Sequence, residues 1–358
     1  MASFESAWRG GPCVADLGEF GLIARLRERI GTAPEGALLL GPGDDAALLS
    51  LPTGWELVLT CDIQLDGRHF SRRWMTPREV GARAATVNLS DAAAMGGVPV
   101  AALASLGLPP ALPVAVVDGL CDGLVAALGA HGAVLAGGNI TASDELIVDV
   151  TLTARVEAGR ALRRSGAKAG DVVFVTGHPG RAAASLATLE AGDDLWARLA
   201  GLVGEDARDL RERMRLYHAS PSARITAGRF LVENQAASAA IDQSDGLGGD
   251  LAHIAEESGV RIELQEGLLP RDPLLIELGS LLGSDPWSWM LGASDDYELI
   301  FTAGRGQVDL ILAMGAALEL PVSRIGEVVA GAPGVVLRRS DGSSAPIGGG
   351  WDHLRRDS

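Results

Sequence analysis

Lysine is almost missing from this chain. Of 30 basic residues in 358, one is a lysine, Lys168, and the rest are arginines. A phosphate-binding P-loop needs Gly-Lys-Ser/Thr, so that motif is excluded. Lys168 itself sits in the polar turn SGAKAGD and reads as a turn residue, not as a Schiff-base amine. Aromatic residues are also scarce, at 4%, against 47% hydrophobic residues overall. The cores must therefore be built from Leu, Val, Ile and Ala. Three cysteines, Cys13, Cys61 and Cys121, are widely spaced without a CxxC pair. That spacing argues against a disulfide framework and against a structural zinc site. Positive charge is in deficit too. A net charge of −16 argues against a nucleic-acid partner, because phosphate backbones demand basic surfaces. The opening MASFESAWRG lacks the basic and apolar regions of a signal peptide. Residues 98–117 are uncharged, but Pro99, Pro109, Pro110, Pro113 and Gly107 break any continuous helix there. A buried strand, a turn and the start of a helix are expected instead. No membrane partner is expected, and the compartment implied is the cytoplasm.

The length favours two domains over one core. Leu17 to Ile30 reads as a helix, with Leu22, Ile23, Leu26 and Ile30 on one face. Short apolar runs at 37–40, 46–49 and 55–61 read as strands. Thr76-Pro77-Arg78-Glu79 is a capping box with proline at the first helical position, and Gly96-Gly97 ends that helix. A strand at 100–106, a helix at 113–130 and strands at 133–136 and 146–156 complete a first α+β unit, residues 1–157. The second, 158–358, opens with the polar stretch RRSGAKAGD and the strand VVFVTG. Its further elements are helices near 180–191 and 205–216, one starting at Ser220-Pro221, a strand at 237–241, a helix at 247–258, a strand at 260–264 and a helix near 307–318.

Both halves share one habit: an apolar strand ends in aspartates and glycine. Asp44 and Asp45 follow LLL, Asp62 ends WELVLTCD, and Asp242 and Asp245 end AASAAIDQSDGL. Asn88 and Asp91, in NLSDAAAMGG, share a helix face at i, i+3. A buried carboxylate is costly unless paired. No lysine lies near these aspartates, and the nearest basic residues are Arg68 and His69. Hard oxygen ligands without a Cys or His set favour Mg²⁺, which in turn bridges carboxylates to a phosphate. A competing reading takes GPGDDA with Asp62 as a dinucleotide fingerprint. It fails because Pro52 and Gly54 leave no room for the crossover helix, and aspartates fill the positions where pyrophosphate would approach. His131, His178, His218 and His253 show no metal spacing and read as surface or core histidines.

The ordered blocks GEFGLIARL, GPGDDAALL, TCDIQLDGRHF, AATVNLSDAAAMGGVP, LAGGNITAS, RALRRSGAKAGDVVFVTG, AIDQSDGLGGDLAHI and SDDYELIFTA resemble thiamine-monophosphate kinases. The likeness runs from about Gly18 to GGGWDHL. It implies an α+β, two-domain fold like that of aminoimidazole ribonucleotide synthetase. The N-terminal sheet of that fold forms a barrel across a homodimer, and its C-terminal domain is an α/β sandwich. It also implies transfer of the ATP γ-phosphate onto thiamine monophosphate. By this resemblance Asp45, Thr60, Cys61, Asp62, Asp91, Asn139, Asp242 and Asp245 would hold Mg²⁺. Gly138, Asn139, Arg164 and Ser244 would meet ATP, and His69, Asp295 and Trp351 the substrate. Asp45, Asp62, Asp91 and Arg164 would form the catalytic set. Three positions depart from the family pattern: Asn139 and Cys61 replace aspartate and threonine, and Ala293-Ser294-Asp295 stands for Gly-Gly-Glu. Asn139 keeps an oxygen ligand but removes a full charge, so a metal there should bind more weakly. A ligase or cyclase of the same fold, or a nucleotide-binding paralogue, is the alternative these departures leave open.

Overall fold

The structure is a computed structural model that describes residues 4–30, 37–41, 46–189 and 191–348. Asp44, Asp45 and Trp351 lie outside the described residues. The chain divides into two compact units, Met1–Ala92 with Gly97–Arg160, and Ala93–Gly96 with Ala161–Ser358.

In the first unit, β1 (Leu38–Leu40) pairs with β2 (Leu48–Leu49). A separate four-stranded sheet has the order β3-β6-β4-β5, from β3 (Trp55–Leu65), β4 (Val98–Leu108), β5 (Val134–Ala142) and β6 (Ile147–Glu157). Its pairs are antiparallel except β4 with β5. The helices are α1 (Val14–Ile30), α2 (Pro77–Ala94) and α3 (Val114–Gly129). Thr76 and Glu79 close the expected capping box at α2: Thr76 N donates to Glu79 Oε2 at 2.8 Å, and Glu79 N to Thr76 Oγ1 at 3.2 Å. The uncharged run 98–117 is β4, a turn and the start of α3. Among the described residues no helix is long and apolar enough to cross a membrane.

Alternation sorts this sheet into two faces. Val148, Val150, Leu152 and Ala154 of β6 are buried on one. Leu57, Leu59 and Ile63 of β3 and Leu103 of β4 are exposed on the other, Leu59 by 64%. An apolar face left open on this scale asks for a partner surface.

The second unit holds a seven-stranded sheet, β13-β12-β9-β11-β7-β10-β8. Its strands are β7 (Val172–Thr176), β8 (Ala239–Asp242), β9 (Arg261–Gln265), β10 (Leu299–Ala303), β11 (Val322–Val329), β12 (Gly334–Arg338) and β13 (Ser344–Ile347). The helices are α4 (Arg181–Thr188), α5 (Asp193–Val203), α6 (Ala207–Ala219), α7 (Ile225–Glu233), α8 (Leu247–Ser258), α9 (Pro273–Leu282), α10 (Pro286–Leu291) and α11 (Val308–Ala317). Strands β7, β8 and β10 are buried along their whole length, as expected for near-continuous apolar runs. One core gathers Val173, Val175, Ile241, Ile262 and Ile300 with Leu251 and Ile254 of α8. A second joins α4, α5, α6 and α9 around Trp196, Leu199, Met214 and Leu278.

Ser220-Pro221 does not open a helix. Residues 221–224 are irregular, and α7 starts at Ile225. Arg224, the residue before it, instead sends its guanidinium to Glu298.

Candidate active site

Two acidic clusters stand out, one in each unit. In the first, residues 60 and 62 of β3 share a face by strand alternation, and α2 brings Asp91 to it. Thr60 Oγ1 donates to an Asp91 carboxylate oxygen. Burial, then the Asp91 charge and a hydrogen bond shared with it, then Asp149, push Asp62 up to about 7. Two carboxylates so close cannot both ionise freely, and one proton or one cation must sit between them. Asn88, fully buried on the same helix face as Asp91, donates its amide to Ala84 O at 3.1 Å. Its Oδ1 has no hydrogen-bond partner among the described residues.

This set fits Mg²⁺. It offers hard oxygens in repulsion, an orphaned buried acceptor nearby, and one or two carboxylates of the kind the ion uses alongside phosphate oxygens. Among the described residues no three His, Cys, Asp or Glu side chains form a ready-made cage. The first cluster is therefore a pair awaiting other oxygens.

Cys61 is not brought to that pair. Alternation turns its thiol to the opposite, open face of the sheet, where it donates to Asp149 Oδ1 at 3.2 Å and accepts from Thr151 Oγ1 at 3.5 Å. The Thr151 bond lowers its pKa, but the Asp149 bond, burial and the neighbouring charges outweigh it and leave the thiol raised. A neutral thiol is a poor Mg²⁺ ligand. The strand register puts Asn139 opposite Ser105, and Ser105 opposite Asp149. Asn139 thus shares the face of Cys61 and Asp149, not that of Asp62. Neither Asp149 nor its register with Asn139 is visible in sequence, because the pairing is long-range.

Gly138 is a close-approach glycine: a Cβ there would lie 1.9 Å from Ala104 O of β4. A cavity of about 710 Å³ lies beside it, lined by Ile23 and Leu26 of α1, Ser105 of β4, Gly138 and Asn139 of β5, and Thr151 of β6, among others. That volume falls in the range of small-molecule sites. His69 is held in the turn after β3, its Nδ1 accepting from Leu65 N at 3.1 Å.

In the second unit, Asp242 ends β8 and is 4% exposed, with Ser244 and Asp245 in the loop that follows. Asp250, in the first turn of α8, is 1% exposed and was missed in the sequence. Its Oδ2 accepts from Gly246 N at 3.0 Å and Asp245 N at 3.3 Å. Burial, then Asp242 and Asp245, still push it up to about 8. Its spacing from Asp245 across Gly246 was the available signal. Arg164 is exposed, and its carbonyl accepts from Ser258 Oγ at 3.0 Å. Asp295 faces His218, with Oδ2 3.6 Å from Nδ1. Only the fold brings this histidine, which carries no motif spacing, to Asp295.

Comparison with known proteins defines the class first. The family model "AIR synthase related protein, N-terminal domain" matches residues 43–156, and that for the C-terminal domain matches residues 168–338. The thiamine-monophosphate kinase of Mycobacterium tuberculosis (strain H37Rv) is 38% identical over 290 residues, 81% of each chain. That of Bacillus subtilis (strain 168) is 32% identical, over 95% of this chain and all of its own. The crystal structure of thiamine-monophosphate kinase from Stenotrophomonas maltophilia K279a superposes with a TM-score of 0.76 at 37% identity, covering 92% of this chain and 98% of that one. AaThiL complexed with AMPPCP and TMP gives 0.71 at 30% identity, covering 97% and 100%. The chain belongs to the thiamine-monophosphate kinase family.

Proposed function

We propose that this protein phosphorylates thiamine monophosphate to thiamine diphosphate with ATP. The observation that carries the reading is the repelling Asp62–Asp91 pair, which Thr60 holds on one face of the first unit. Asp45, Asp62, Asp91, Asp242 and Asp245 are assigned to Mg²⁺, with Thr60 beside them. When bound, the ions neutralise phosphate charge and align donor and acceptor. Gly138, Asn139, Arg164 and Ser244 are assigned to ATP, and His69, Asp295 and Trp351 to thiamine monophosphate.

An ionised oxygen of the acceptor phosphate attacks the γ-phosphorus, a new P–O bond forms, and the bond to the β–γ bridging oxygen breaks. ADP leaves with that electron pair. The nucleophile is already ionised, so no general base is needed, and positioning and charge supply the rate. Arg164 would offset charge on the nucleotide. His69 would hold the acceptor phosphate in place.

The exposed face of Leu57, Leu59, Ile63 and Leu103 supports a homodimer whose two first-unit sheets close a barrel over it. A cytoplasmic location fits the sequence features above. The test is purified protein with ATP, Mg²⁺ and thiamine monophosphate, followed by chromatography of the products. Thiamine diphosphate with equimolar ADP is expected. Nucleotide bound without product, or ADP formed only with another acceptor, overturns the reading.

A further inference from the structure

Asp295 and Asp296 are neighbours with opposite surroundings. Asp295 faces His218. Asp296 turns inward, and both of its oxygens are taken. Its Oδ2 accepts from Gly180 N at 2.6 Å, Ser294 Oγ at 2.7 Å and Gln243 Nε2 at 2.9 Å, and its Oδ1 from Ala182 N at 2.8 Å. Ser294 Oγ in turn accepts from Ala183 N at 3.2 Å. One carboxylate therefore joins the start of α4, the loop carrying Asp295, and Gln243, which lies between Asp242 and Ser244.

The backbone adds to this junction. Gln243 N donates to Glu298 O, and Tyr297 N to Gln243 O, each at 2.8 Å. Tyr297 has φ +55°, a conformation that bulky residues avoid unless their surroundings impose it. Gly246 has φ +111°, and a Cβ there would lie 1.9 Å from Gly292 O. The loop after β8 and the loop of residues 292–297 are thus seated directly on each other.

We infer that Asp296 and Gln243 are a positioning pair, fixing the loop that carries Asp295 against the Asp242–Asp245 loop and so setting recognition of the phosphoryl acceptor. This rests on the kinase reading above, with Asp295 at the substrate. Both oxygens of Asp296 are already taken by protein donors, so the pair acts through the loop and not as a substrate ligand. Gln243 is fully buried, and its Oε1 has no hydrogen-bond partner among the described residues. A structural role would favour leucine there, which is similar in size and leaves no orphaned acceptor. The amide instead supplies the link between the two loops.

The test is Gln243→Leu with steady-state kinetics for both substrates and thermal melting. Asp296 keeps three donors in this variant, so the melting temperature is expected to stay or rise. The KM for thiamine monophosphate is expected to rise about 10-fold, with the KM for ATP changed less than about 2-fold, as loosened positioning of one substrate implies. Ser294→Ala should move the same KM by about 3-fold. The double variant should fall short of the product of the two effects, because both act through Asp296. Unchanged KM values in an active Gln243→Leu protein overturn this inference and leave the kinase reading standing. So does a Gln243→Leu protein that fails to fold or melts lower with its KM values unmoved, which assigns the pair to structure. A wild-type protein inactive on thiamine monophosphate overturns both.

Discussion

The two acidic clusters solve one electrostatic problem by different means. In the second unit, Asp250 is held by backbone N–H groups of its own loop, Asp245 and Gly246. In the first, Asp62 and Asp91 come from a strand and a helix, and Thr60 donates its hydroxyl to Asp91 across them. Backbone donors are fixed by the fold and survive substitution of any side chain. The cross-element pair depends on what lies between its carboxylates, a proton or a cation. The first cluster should therefore be more sensitive to metal and to single-charge changes than the second.

Asp62→Asn strains that comparison most. It removes one charge of a repelling pair and keeps a hydrogen-bond donor for Asp91. Phosphoryl transfer should fall by about 1,000-fold or more, since a group that acts only through charge and alignment has been lost. Melting of the metal-free variant at pH 8 should rise above wild type. A variant that is both inactive and less stable would refute the picture of a strained pair. Asp250→Asn should act more mildly: its amide oxygen can accept the same two N–H donors, so activity should fall by about 10-fold or less in the same assay.

The pH dependence of stability follows in sign. Free aspartate titrates near 3.8, whereas folded Asp62 holds its proton to about 7 and Asp250 to about 8. Between those values the unfolded chain has released protons that the folded chain retains. Metal-free stability therefore falls as pH rises from about 4 to about 8. Melting in chelator at pH 5 and pH 8.5 measures the drop. Added Mg²⁺ should shrink it, because an ion that binds the folded form alone stabilises it. The smallest expected effect is Asn139→Asp. Asn139 lies on the face of Cys61 and Asp149, away from Asp62, so the added charge should change the Mg²⁺ concentration for half-maximal activity by less than about 2-fold, and a larger shift would return position 139 to the metal set.

Local chemistry was legible in the sequence wherever it was local in space. The Thr76–Glu79 box and the proline-broken run at 98–117 both rest on contacts a few residues apart, and both are present in the structure. The same logic was available at Asp272-Pro273 and Asp285-Pro286, where the aspartates cap α9 and α10 by accepting from Leu274 N and Trp287 N. At Ser220-Pro221 the same signature opens no helix, and Arg224 is instead drawn to Glu298, 74 residues away. The thiol of Cys61 points away from Asp62 by simple alternation, which motif matching ignores. Asp149 beside Cys61 and Gln243 against Asp296 are separated by 88 and 53 residues, and only the sheet register and loop seating bring them together.

Lys168, the chain's one side-chain amine, is exposed in a loop pinned by Ser258, whose hydroxyl accepts from Gly166 N and Ala167 N and donates to the Arg164 carbonyl. Every other basic side chain is a guanidinium or an imidazole, which leaves the chain's α-amine as the remaining target of amine-directed reagents. A fluorophore coupled through lysine chemistry would therefore settle on one side chain, four residues from Arg164. The scarcity of lysine gives the second unit a single side-chain attachment point, and a label there would test the proposed contact of Arg164 with nucleotide.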